Sequence, residues 1–144
     1  MATPAAVGYS ATPLARKLGY KAASRALLIG APPGYMAMVA PLPDDLVFER
    51  KASARTDLVH VFATERASLA KVLTGLRRKL RPDATVWVSW PKKSAKVETD
   101  LTEDVIRQVA LPMGFVDIKV CAVSDVWSGL KLVVRKELRP QNAA

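Results

Sequence analysis

Residues 57–90, DLVHVFATERASLAKVLTGLRRKLRPDATVWVSW, contain two short apolar runs on either side of a long amphipathic segment. Asp57 to Ala63 and Thr85 to Trp90 are short, continuous and rich in β-branched and aromatic residues, which is typical of buried strands. From about Glu65 to Leu80, leucine and valine recur at three- and four-residue spacing, and Pro82 follows. That spacing predicts a helix with one apolar stripe. A strand, a helix and a strand in this order predict a right-handed crossover between parallel strands.

The segments on both sides extend this α/β pattern. Arg25 to Ile29 is apolar after its arginine and ends at Gly30, which predicts another parallel strand covered on both faces. Leu46 to Arg50 predicts a shorter strand. Phe115 to Ala122 and Leu130 to Lys136 alternate apolar and polar residues on either side of a short connection. Their alternation predicts an antiparallel pair with one buried and one wetter face.

Three shorter helices are predicted between or before these strands. Leu14 and Leu18 mark a short helix that stops at Gly19, and Tyr35 to Val39 leaves room for one more before the next prolines. Thr102 is expected to cap a helix that runs through Ala110. The whole chain is therefore predicted to be one α/β domain spanning residues 1–144. Its ends, residues 1–10 and 139–144, are small or polar and are expected to be loose.

Composition favours a protein of the cytoplasm. Residues 26–43 carry no charge, but glycines and prolines within them would break a membrane-spanning helix. Residues 1–6 lack the basic start and apolar run of a signal peptide. Cys121 is the only cysteine, so no internal disulfide can form, and no cysteine and histidine spacing resembles a zinc site.

The chain is strongly basic, with 22 Lys and Arg against 13 Asp and Glu and a net charge of +9. A surplus of this size favours a polyanionic partner such as nucleic acid, because clustered cations release the counterions condensed on phosphates. The cations are spread over the whole sequence, however, and no aromatic residues are interleaved with them as on a base-stacking surface. A basic protein without a dedicated nucleic-acid surface is the simpler interpretation.

The central segments resemble the second half of a class I S-adenosylmethionine-dependent methyltransferase. The resemblance lies in Thr56 to Phe62, the long helix, Leu80-Arg81-Pro82-Asp83 and the strand Val86 to Trp90. It covers about residues 25–136. That family inserts its last, antiparallel strand between two others. The resemblance therefore implies a shortened Rossmann-like sandwich of about six strands, mostly parallel, in the order 2-1-3-4-6-5.

A second resemblance covers nearly the whole chain. The segments YSATPLA (9–15), WVSWPKK (87–93), TDLTED (99–104), VCAV (120–123) and WSGLK (127–131) are similar to the bacterial domain-of-unknown-function family 3052. This resemblance implies a bacterial, cytoplasmic, stand-alone domain and no particular catalytic activity.

In open α/β sheets, ligands bind beyond the carboxyl ends of the strands, near the point where the strand order reverses. The turn Gly30-Ala31-Pro32-Pro33-Gly34 lies at this edge, although its two prolines have no N–H to offer a phosphate or carboxylate. An acid near the end of the second strand lies where the ribose-binding acid of cofactor enzymes is expected, although a solvated glutamate is the simpler interpretation. A strand that ends in tryptophan, proline and two lysines could hold an anion; the alternative is a tryptophan that packs helices onto the sheet and lysines that are only solvated. The expected ligand-binding residues are Gly30, Gly34, Glu49, Thr64, Trp90, Lys92 and Lys93.

No side chain is assigned a catalytic role, and no metal is expected. His60 lies in the middle of a strand between valines, which favours a buried, hydrogen-bonded core histidine over a general base. Three functions stay open. The leading one is a non-catalytic or unassigned binding domain on a methyltransferase-like scaffold, without a predicted cofactor, that meets an anionic ligand or a protein partner at the carboxyl edge. The alternatives are an S-adenosylmethionine-dependent methyltransferase and a basic nucleic-acid-associated accessory protein. The exposed edge of the sheet could also support a homodimer.

Overall fold

The computed structural model describes residues 12–140, and the expectations for residues 1–10 and 141–144 lie outside this range. Six strands and four α-helices alternate along this part of the chain. The strands are β1 (Arg25–Ile29), β2 (Val47–Glu49), β3 (Leu58–Phe62), β4 (Thr85–Pro91), β5 (Phe115–Ala122) and β6 (Trp127–Val134). The helices are α1 (Leu14–Leu18), α2 (Tyr35–Val39), α3 (Arg66–Lys79) and α4 (Glu103–Ala110).

The strands form one sheet in the order β2-β1-β3-β4-β6-β5. Strands β2, β1, β3 and β4 are parallel to their neighbours, while β6 runs antiparallel to both β4 and β5. This confirms the predicted shortened Rossmann-like sandwich and its strand order. No helix within residues 12–140 is long and apolar enough to cross a membrane.

Strand β6 begins at Trp127, three residues before the predicted start at Leu130. The extra residues pair with the end of β4, where Pro91 lies opposite Trp127 and Trp90 lies opposite Ser128. The long β4 thus extends its neighbour, and the connection between β5 and β6 is shorter than the sequence pattern indicates. Tertiary pairing, rather than the local sequence, sets this boundary.

Each face of the sheet carries its own apolar core. On one face, α3 and α4 cover a cluster that includes Leu69, Leu73 and Ile106, all of which are fully buried. Thr102 caps α4 as predicted, because its hydroxyl accepts a hydrogen bond from the Val105 N–H at 3.1 Å. On the other face, α1 and α2 cover the fully buried Trp87.

A chain of buried hydrogen bonds runs through the core beneath α2. The hydroxyl groups of Tyr20 and Tyr35 are 2.6 Å apart, and Tyr35 is also hydrogen-bonded to Nδ1 of His60 at 2.8 Å. On its other side, Nε2 of His60 is 2.7 Å from the Ser89 hydroxyl. His60 is completely buried, which confirms the predicted core histidine. Because both ring nitrogens have partners, this network ties α2 to the two central strands.

Asp57 and Arg81, from the segments that resemble methyltransferases, lie together at the amino end of the sheet. The Asp57 carboxylate accepts the Arg25 N–H at 2.7 Å and forms an ion pair with Arg81. Burial alone would raise the pKa of Asp57, but these two partners hold it below its ordinary value. Arg81 also donates to the Thr56 carbonyl at 3.1 Å. These residues therefore fix the start of β1 and β3, at the edge opposite the candidate site.

Candidate functional site

The carboxyl edge of the sheet is formed by the loops that follow β1, β3 and β4. Gly30, directly after β1, packs against the Phe62 carbonyl at the end of β3. The Ala63 N–H, one residue further, donates to the Ser89 carbonyl in β4 at 3.0 Å. These contacts bring the loops that begin at Gly30, Thr64 and Lys92 to one edge, as predicted for the parallel strands.

The two glycines of the β1–α2 turn differ in what surrounds them. Both adopt left-handed backbone, with φ of +71° at Gly30 and +86° at Gly34. A Cβ at Gly30 would lie 2.7 Å from the Phe62 carbonyl oxygen, so close packing of β1 against β3 already requires glycine there. A Cβ at Gly34 would meet nothing within 4 Å. The space beside the Gly34 backbone is therefore open, while Gly30 serves the packing of the sheet.

The Glu49 carboxylate is directed away from this turn. Glu49 lies opposite Leu27, below the carboxyl end of β1, and its side chain is 14% exposed. One oxygen forms a 3.1 Å ion pair with Arg25, at the amino end of β1, and the other accepts the Thr56 hydroxyl at 2.7 Å. The structure thus does not bring the Glu49 carboxylate together with Gly30 and Thr64. In this arrangement it joins β2 to β1 and to the start of β3.

A shallow cleft of about 380 Å³ lies beside the end of β3. The Thr64 carbonyl accepts hydrogen bonds from the Thr99 hydroxyl at 2.6 Å and the Asp100 N–H at 3.3 Å, which closes the loop before α4 over this edge. Asp100 also accepts the Arg66 N–H at 2.7 Å and so caps α3. The cleft is lined by Thr64, Glu65, Glu98, Thr99 and Asp100. Its three carboxylates favour a cation over an anion.

Glu65, Glu98 and Thr99 were missed as site residues. Asp100 comes shortly before the predicted cap Thr102, yet its carboxylate caps α3, which is earlier in the chain. The pairing of Thr99 with Thr64 joins residues far apart in the chain, so no local pattern indicates it. The run Glu98-Thr99-Asp100 directly after the loop of β4 was the one available signal.

Trp90, Lys92 and Lys93 lie at the end of β4. The Trp90 side chain is only 8% exposed and packs in the core with Leu101. Its ring is therefore covered by protein and offers little face for stacking. Lys92 is half-buried and its N–H donates to the Val126 carbonyl at 2.7 Å, whereas Lys93 is exposed. Within residues 12–140 neither ammonium group has an ion-pair partner, so both are available to an anion.

His60 does not act as a base at this edge, because its ring is buried in the core. Burial lowers its pKa to about 3, so the ring is neutral at physiological pH and enclosed on both sides by its partners. In the described part of the chain, no group of three or more metal-ligating side chains is close enough to hold an ion. The chemistry available at the carboxyl edge is thus that of open glycine backbone, three carboxylates and two lysines.

The fold is that of class I S-adenosylmethionine-dependent methyltransferases, a Rossmann-like architecture. A SAM-dependent methyltransferase from Aquifex aeolicus has a TM-score of 0.60 and 14% identity, over 83% of this chain and 87% of that protein. A putative type 11 methyltransferase from Sulfolobus solfataricus has a TM-score of 0.57 and 10% identity, over 84% and 90%. PigF, solved with SAH, has a TM-score of 0.57 and 10% identity, over 78% and 56%.

No family model and no curated protein matches the chain. The resemblance to family 3052 is therefore not supported by these comparisons. The similarity to methyltransferases is one of architecture, because the sequence identities are low.

Proposed function

We propose that this chain is a methyltransferase-type domain that binds S-adenosylmethionine at the carboxyl edge of β1 and β3. The observation that carries the proposal is the open, left-handed backbone of Gly34 at this edge of a sheet with the order β2-β1-β3-β4-β6-β5. The solved proteins that share the fold include a SAM-dependent methyltransferase and a putative type 11 methyltransferase, and PigF was solved with SAH. In α/β sheets of this kind the strand order reverses beside β1, where ligands bind.

The residues of the edge fit this cofactor in part. The Gly34 backbone allows close approach, and the loop that begins at Thr64 would lie on the other side of the ligand. Glu49 would bind ribose hydroxyls only after it exchanges Arg25 and Thr56 for them. When bound, S-adenosylmethionine supplies an electrophilic methyl group. The protein's own contribution is to bind and orient it, because His60, the one histidine, is buried elsewhere.

The shallow cleft with three carboxylates, beside the end of β3, is the proposed binding place of the methyl acceptor. It adjoins Thr64, next along the sheet from the Gly30 turn. Glu65 and Asp100 already bind partners, Ser68 and Arg66 respectively, whereas the Glu98 carboxylate has no hydrogen bond within residues 12–140. A cationic acceptor is therefore attracted to this cleft, and an anionic one is repelled.

Calorimetric titration with S-adenosylmethionine and S-adenosylhomocysteine tests the proposal. The wild-type domain is expected to release or absorb heat with both ligands. Gly34→Ala should weaken binding by about tenfold or more, because the new methyl group occupies the space left for the ligand. Gly75→Ala is the matched control: this glycine lies inside α3 with nothing within 4 Å of an added Cβ, so binding should not change. The absence of heat with either ligand at millimolar concentration would remove the proposal.

A second candidate is the non-catalytic binding domain, which uses the same edge without this cofactor. Two observations favour it. Glu49 is held in an ion pair, and the two central residues of the turn, Pro32 and Pro33, have no N–H to donate to a ligand. In addition, the Tyr35 N–H is taken up by the Pro32 carbonyl at 3.2 Å. Lys92 and Lys93 would then meet an anionic ligand or a protein partner. This candidate predicts no heat with either adenosyl ligand, so the same titration separates the two functions.

A further inference from the structure

Four lysines lie on the face of the sheet that α1 covers, and we call them the lysine face: Lys17, Lys21, Lys119 and Lys131. Two of them are cross-strand neighbours, since Lys119 in β5 lies directly opposite Lys131 in β6. On its other side Lys131 lies opposite Trp87, and the Lys119 ammonium is 6.0 Å from the centre of the Trp87 ring. Both lysines therefore lie on the Trp87 side of the sheet.

The other two lysines come from the end of α1 and the segment after it: Lys17 is in its last turn, and Lys21 follows its C-cap, Gly19. The Trp87 indole donates to the Leu18 carbonyl at 2.7 Å, which fixes the end of α1 above the ring. Burial lowers the pKa of Lys131, and the nearby charges of Lys119 and Lys21 lower it further. The charge of Lys17 likewise reaches the Cys121 thiol. Burial raises the pKa of this thiol, and the charges of Lys17 and Lys119 make the rise smaller. Lys21 is thus within electrostatic reach of Lys131, and Lys17 and Lys119 are within reach of Cys121, the residue that follows Val120 in β5.

Nothing in the described part of the chain neutralises this group. Every ion pair within residues 12–140 is made by an arginine. Like charges placed directly opposite each other on neighbouring strands destabilise a sheet, as Lys119 and Lys131 do here. A bound polyanion would relieve the repulsion between these lysines, and this relief would strengthen the binding of the polyanion.

We propose that the lysine face binds the phosphate backbone of double-stranded nucleic acid without reading its sequence. Lysines act as point charges toward phosphates, and backbone contacts fix position without sequence information. Trp87 is completely buried beneath the lysines, so its own ring is not available for unpaired bases to stack on. The net charge of +9 adds long-range attraction for such a partner. This interaction surface is distinct from the carboxyl edge and goes beyond the proposed function.

The salt dependence of binding tests the number and the place of these contacts. Fluorescence anisotropy with a labelled DNA duplex of random sequence should give a plot of log K against log salt concentration. Each neutralised phosphate contributes about −0.9 to the slope, so the four lysines together contribute about −3.6. Replacing all four by alanine should remove that contribution. It should also abolish most of the roughly 100-fold loss of affinity between about 50 and 200 mM salt.

A matched variant removes four cations from the opposite face of the sheet. Arg50, Lys51, Lys71 and Lys79 line a groove of about 360 Å³ between β1 and α3, and their replacement by alanine costs the same net charge. This control should keep most of the wild-type slope. Both variants should unfold in one cooperative thermal transition, which shows that they are folded. The lysine-face variant should unfold at or above the wild-type midpoint, because it loses the repulsion between Lys119 and Lys131.

Four results would overturn the proposal. The first is equal weakening by both variants, which means that net charge alone drives binding. The second is a wild-type slope in the lysine-face variant. The third is no duplex binding by the wild type at about 50 mM salt. The fourth is displacement of the duplex by micromolar inorganic pyrophosphate, which assigns the lysines to a small phosphorylated ligand instead.

Discussion

Acidification to about pH 4.5 is expected to destabilise the folded domain by about 3 kcal/mol through His60 alone. Burial lowers the pKa of this histidine from 6.5 to about 3. Between these two values the unfolded chain binds a proton that the folded protein excludes, so stability is complete above about pH 6.5 and falls as the pH falls. The loss is about 1.4 kcal/mol for each pH unit within this window.

Urea unfolding at several pH values between about 7 and 4.5 measures this effect. The sequence makes the result simple to interpret. His60 is the only histidine of the chain, so no other histidine titrates in the window. The lowered pKa of Asp57 acts below its ordinary value of 3.8 and so outside the range. His60→Gln is the control, and its stability should be nearly flat with pH. A histidine resonance of the folded protein that titrates near pH 6.5 would show that the ring is not sealed in the core.

Replacing Gly30 by alanine should cost about 2 to 4 kcal/mol of folding free energy. Part of this cost is the left-handed backbone, which an L-residue adopts at about 1 to 2 kcal/mol. The rest arises because the added Cβ would lie 2.7 Å from the Phe62 carbonyl oxygen, and that oxygen belongs to the backbone of β3. Since a strand backbone cannot move aside as a flexible side chain can, β1 and β3 must separate locally.

Gly34→Ala provides the comparison for this prediction. Its backbone is also left-handed, at φ +86°, but the added Cβ meets nothing within 4 Å. Only the conformational cost of about 1 to 2 kcal/mol is expected. Chemical unfolding of the two variants measures the difference. Equal losses would mean that Gly30 is not fixed by its contact with β3, and the distinction between a packing glycine and a ligand-facing glycine would fail.

The sequence predicts most of the fold because each element is encoded locally. The five residues of β3 are all buried, and the leucines of α3 form the stripe that their spacing indicates. The strand order came from the resemblance to methyltransferases, and the structure confirms it. The early start of β6 at Trp127 could not be predicted in this way, because pairing with the end of β4 decides it.

The candidate site was predictable in place but not in detail. Parallel strands bring Gly30 and Thr64 to one edge wherever their side chains point. The direction of the Glu49 side chain depends instead on Arg25 and Thr56, which approach it only in the folded protein. Trp90 likewise lies near the end of its strand, but its ring packs into the core instead of facing the edge. Orientation of this kind is set by packing between distant segments, which spacing alone does not record.

The most direct test of the central claim is to map the adenosyl ligand on the folded domain. Amide resonances of the isotope-labelled protein would be followed during titration with S-adenosylhomocysteine. The proposed site predicts concentration-dependent shifts at Gly34, Thr64 and neighbouring residues of the carboxyl edge, and none at the lysine face. Unchanged resonances at millimolar ligand, or shifts away from the carboxyl edge, would contradict it.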